Sequence, residues 1–105
     1  MDKILNLLYR IKEKPGLFLG QKTLDGLSET LSGYILGIYE CDCGDFRRFP
    51  NDFLSFVQKT YNEYSYSYYW DSIIRMNCSS DEEAFDKFYE LLEVFLNETE
   101  YGITI

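Results

Sequence analysis

The chain has 105 residues, 46% of them apolar and 27% charged, with a formal net charge of −8. That length suits one modest hydrophobic core, and that composition argues against intrinsic disorder. Affinity for nucleic acid comes mainly from neutralising phosphates with Lys and Arg, so no nucleic-acid partner is expected for a chain this acidic.

The charge is unevenly distributed. Up to Leu24, the bases Lys3, Arg10, Lys12, Lys14 and Lys22 are set against only Asp2 and Glu13, while the remainder is strongly acidic. No apolar run is long enough to cross a bilayer, and MDKILNLLYRIKEK alternates charge with hydrophobe, unlike the apolar centre of a signal peptide. A cytoplasmic protein without a membrane partner is the expectation. The odd cysteine count, Cys41, Cys43 and Cys78, fits reduced thiols better than a disulfide framework.

In chain order, Ile4, Leu5, Leu7, Leu8 and Ile11 recur at helical spacing and predict an amphipathic helix ending near Glu13, where Lys14-Pro15-Gly16 stops it. The next residues, LFLG, read as a brief apolar loop that tucks Leu17 and Leu19 against the core. Thr23 is placed to cap a second helix with Leu24, Leu27, Leu31, Tyr34, Ile35 and Ile38 on its apolar stripe. Gly26, Gly33 and Gly37 lie inside it, and glycines kept in a helix at a cost suggest close approach of another helix.

After CDCGDFRR, Pro50 with Asn51 or Asp52 as cap predicts a third helix burying Phe53, Phe56, Val57 and Tyr61. The decapeptide YNEYSYSYYW follows, six of its ten positions aromatic. It reads as an extended connection into a fourth helix near Tyr68 to Asn77, with Ser67 as a possible cap. Trp70 or Tyr69, or both, belong to the core in this reading. The last helix opens on Ser80 with Glu83 three residues on, the spacing of a capping box. Phe85, Phe88, Tyr89, Leu92, Phe95 and Leu96 share one face and Glu82, Glu83, Asp86, Glu90 and Glu93 the other. The tail, ETEYGITI, reads as a short extended piece or a frayed end. The expected fold is therefore all-α, a single domain of about five helices spanning residues 1–105.

Catalytic chemistry is poorly represented. The chain has no histidine, which removes the commonest general base and metal ligand together. Cys41, Cys43 and Cys78 lack the paired short spacing of a structural zinc site, and Cys78 has no neighbouring base in the sequence to activate it. No catalytic residue, metal or cofactor is assigned, and an enzyme is not expected.

Taken together, KPGLFLG, TLDGLSETLSGYILGIYE, FPNDFLSFVQKTY, YYWDSIIRM and SSDEEAFDKFYELLEVFL resemble small bacterial immunity proteins of polymorphic toxin and contact-dependent growth inhibition systems. The resemblance implies a cytoplasmic protein that binds a cognate toxin domain, commonly a nuclease, and blocks it. Charge fits that expectation independently, because an acidic partner is steered toward a basic substrate cleft. Tyr64, Tyr66 and Tyr68, alternating with serine on the connecting segment, are the expected anchors, with Glu82, Asp86, Glu90 and Glu93 as the acidic contact face. The alternatives are a small acidic regulatory or adaptor subunit, or an acidic nucleic-acid mimic.

Overall fold

In a computed structural model, described for residues 2–20, 22–42, 48–65 and 68–98 and for the side chains of 4–20, 22–37, 49–65 and 68–98, the fold is all-α. Its helices are α1 (Asp2–Glu13), α2 (Pro15–Leu19), α3 (Leu24–Asp42), α4 (Arg48–Tyr61), α5 (Trp70–Met76) and α6 (Asp81–Glu98). The five expected helices are all present, and α2 is the addition; the Ile38 side chain and the tail from residue 99 lie outside what is described. Proline at its first position supplies a φ already suited to helix, and Gly20, at φ 78°, closes it with its N–H on the Gly16 carbonyl. Five residues turn too tightly to bury both leucines: Leu19 packs against the core, but Leu17 is 75% exposed, contrary to its expected burial.

Helix ends follow local chemistry. Thr23 Oγ1 accepts the Gly26 N–H at 3.1 Å, the predicted cap of α3. At α6, Ser80 Oγ accepts the Glu83 N–H at 3.1 Å, while the Glu83 carboxylate reaches back to the N–H of Ser79 at 2.7 Å and to the Ser79 hydroxyl. The reciprocal box is thus shifted by one residue. Those two bonds hold the Glu83 carboxyl below the usual carboxylate range. Chain reversal after α4 uses Asn62 at φ 54°, with the Glu63 N–H on the Gln58 carbonyl at 3.0 Å, the wide closure of a Schellman motif.

Phe53 is the centre of the core. Its ring stands 5.6 Å from Phe49 and 5.4 Å from each of Trp70, Phe88 and Phe95, with the last three edge-on. One residue of α4 therefore ties α5 and α6 together. Phe49 is fully buried although the expected helix begins only at Pro50 and its expected buried side starts at Phe53. That helix starts at Arg48, two residues before Pro50, and carries Phe49 one turn ahead of Phe53. α6 packs on α3, α4 and α5, and Tyr89 donates its hydroxyl to the Leu8 carbonyl at 2.5 Å, pinning α1 to the same helix.

The glycine expectation holds at one position of three. A Cβ on Gly26 would lie 3.1 Å from Thr23 Oγ1 and 3.5 Å from Leu19 Cβ, so α2 does approach closely there. At Gly33 and Gly37 a Cβ would meet nothing within 4 Å, and both positions are exposed. No other helix of the chain accounts for them among the described residues.

Candidate partner-binding surfaces

The segment between α4 and α5 presents rings to solvent. Tyr64 is 57% exposed and Tyr68 38%, as expected of anchors, and Tyr69 joins them at 39%. Trp70, the next residue, is 1% exposed, so the expected division falls between these two neighbours. Tyr66 and Ser67 lie outside the described residues; the N-cap of α5 is Tyr69, without a side-chain capping bond. Two local bonds shape the segment: the Ser65 N–H donates to the Glu63 carboxylate at 3.1 Å, and the Tyr68 N–H donates to the Ser65 carbonyl at 3.3 Å. Tyr61 packs against the core, and burial, followed by the charges of Cys78 and Glu90, pushes its phenol up.

The acidic face of α6 is exposed at Glu82, Asp86, Glu90 and Glu93, but much of it is engaged within the chain. Lys22 Nζ meets Asp86 Oδ1 at 3.0 Å, and Lys87 stands 4.0 Å from Glu90. The Tyr9 hydroxyl donates to Glu93 at 3.0 Å; burial first, then Glu93, pushes the Tyr9 phenol up to about 12. Lys12 and Lys22 also sit over the rings of Tyr89 and Phe85, at 5.6 and 5.5 Å. A shallow cleft of 390 Å³ runs among these groups. The basic N-terminal region thus folds onto part of the acidic helix. Glu82 has no ion pair among the described residues.

A third surface had no counterpart in the sequence reading. α3 and α5 run in opposite senses: Arg75 near the end of α5 reaches Asp25 at the start of α3 at 3.1 Å, and also Asp71 at 3.3 Å. At the other end of the pair, Leu31, Ser32, Ile35 and Leu36 face Tyr69, Trp70 and Pro50 around a notch of about 210 Å³. Leu36 is 55% exposed on its rim. The Trp70 indole N–H is buried without an acceptor among the described residues. Burial pushes the Tyr69 phenol up; the neighbouring indole N–H draws it down, without meeting hydrogen-bond geometry, and Asp71 raises it further. The only sequence sign of this notch was Trp70 itself, because its walls come from helices far apart in the chain.

Cys78 is half-buried, and burial together with Glu83 raises its thiol, so the nucleophilic thiolate is disfavoured. Cys41 and Cys43 lie outside the described side chains. Among the described residues no three His, Cys, Asp or Glu side chains gather as metal ligands, and no helix is long and apolar enough to cross a membrane. No protein-family model matches the chain, and no match was found among curated proteins or solved structures.

Proposed function

We propose that the chain is an immunity protein that binds and neutralises a cognate bacterial toxin domain in the cytoplasm, by steric and electrostatic blocking. A nuclease is the toxin class that suits its charge. The observation that carries this reading is the exposure of Tyr64, Tyr68 and Tyr69 on one segment of a chain with net charge −8. Tyrosines of this kind supply large contact area with little side-chain entropy to lose, and they are enriched among the residues that dominate binding energies. The acidic balance steers a basic partner and raises its association rate. The resemblance of the helix signals to immunity proteins points the same way.

The test uses the toxin domain encoded beside the gene. Co-expression should restore growth, and calorimetry should give a Kd in the nanomolar range or below, about −12 kcal/mol. Tyr64→Ala with Tyr68→Ala should weaken binding by at least about 10-fold, the effect of losing roughly 1.4 kcal/mol of anchor contact. A wild-type chain that neither binds nor protects would overturn the reading.

A further inference from the structure

We infer that the α3–α5 groove is a docking site for a segment of a partner protein that carries an apolar side chain and a basic residue about 10 Å apart, the partner being the toxin domain if the preceding reading holds. The spacing comes from α3. At about 100° per residue, Asp25, Glu29, Ser32 and Leu36 fall on one stripe of that helix within about 60°. Leu36 and Ser32 border the notch, and Glu29 is exposed one turn before Ser32. Seven residues from Glu29 to Leu36 span about 10 Å, which a partner matches with positions seven apart on a helix or three apart on an extended strand.

Charge complementarity selects the basic group. Along this surface Asp25, Glu29 and Asp71 are balanced by Arg75 alone among the described side chains, and Arg75 is engaged by both aspartates. The uncompensated charge is negative and lies on the Glu29 side. The notch selects the apolar group, since apart from Ser32 its described walls are Leu31, Ile35, Leu36, Pro50, Tyr69 and Trp70. Tyr69 belongs to both the notch and the exposed aromatic segment, so one partner can cover both. Gly33 and Gly37, next in sequence to Ser32 and Leu36, leave room for a backbone to come close that no helix uses among the described residues.

The test pans a phage-displayed library of random dodecapeptides against the full chain and reads binding in two ways. Trp70 is the only tryptophan, so its indole N–H gives a single resonance in a proton–nitrogen correlation spectrum. Recovered peptides should pair a basic with a large apolar residue at the stated spacing and shift that resonance. They should lose at least about 30-fold in affinity against Leu36→Asp and about 10-fold against Glu29→Lys. Both residues are exposed, and Ser32→Arg, at another exposed position of the notch, serves as a second block if Leu36→Asp fails to fold.

Recovery of no such peptide overturns the proposal, as does unchanged binding to the Leu36→Asp and Ser32→Arg variants. A wild-type dimer that Leu36→Asp dissociates also overturns it, by making a second copy the occupant. Peptides that bind the groove of a chain that ignores the toxin leave the docking site standing and remove only the immunity reading.

Discussion

Gly33→Ala combined with Gly37→Ala should stabilise the chain. Both glycines lie well inside α3, with a negative φ that alanine adopts freely. An added methyl at either position meets no side chain and no other helix within 4 Å among the described residues, so no packing cost offsets the gain. Alanine is better than glycine in a helix interior by about 0.8–1.0 kcal/mol, in large part because the unfolded chain loses freedom. The pair should therefore add about 2 kcal/mol. For a domain near 100 residues that corresponds to a rise in Tm of roughly 10 °C. Gly26→Ala is the internal control: its methyl would press on Thr23 Oγ1, the acceptor that caps α3, and should give no gain. Urea unfolding followed by the fluorescence of Trp70 measures all three variants. A loss of stability in Gly33→Ala or Gly37→Ala would refute the open face of α3, and with it the argument that these glycines are kept for something outside the chain.

Other substitutions probe the core and its attachments. Phe53→Ala removes the ring that Phe49, Trp70, Phe88 and Phe95 all meet, and should cost about 3–5 kcal/mol, leaving a small domain close to unfolding in the same urea assay. Tyr89→Phe deletes the buried hydroxyl on the Leu8 carbonyl and should cost about 1 kcal/mol, read as a lower urea midpoint at unchanged slope. Tyr9, raised to about 12 in the folded chain from 10.0, contributes stability that is present below pH 10 and is lost as pH rises toward 12. Tyr9→Phe should accordingly lose less stability than wild type between pH 10 and 12, read from urea midpoints across that range. Glu83 works in the opposite sense, its depressed carboxyl adding stability above its ordinary range that disappears on acidification, so Glu83→Gln should flatten that part of the acid profile.

The helices were legible because their signals are local. Ser80 and Glu83 fix the start of α6 within four residues, and the apolar stripe of α1 repeats every three or four positions. Phe49 was missed because it precedes a proline in a charged stretch, where reading Pro50 as a helix start hides the turn before it. Leu17 was misjudged because its composition is apolar while its place, on a five-residue helix turned outward, is set by Gly20. The acids of α6 could be named, but not their pairing with Lys22 and Tyr9, since those partners arrive from more than sixty residues away. The α3–α5 groove was out of reach for the same reason: helical period says which residues point away from a core, not which outward faces lie side by side.

α5 is only seven residues long, well below the roughly 12–15 residues at which an isolated helix begins to hold in water. Its capping residue offers no side-chain bond, and Trp70, Ile73 and Ile74 are buried by other helices, while Arg75 is tied to Asp25 fifty positions earlier. It therefore depends for its persistence on packing against α3, α4 and α6. The groove consequently vanishes when the chain opens. Whatever occupies it binds the native state alone, and by mass action slows every process that passes through the opened chain, digestion by cellular proteases included.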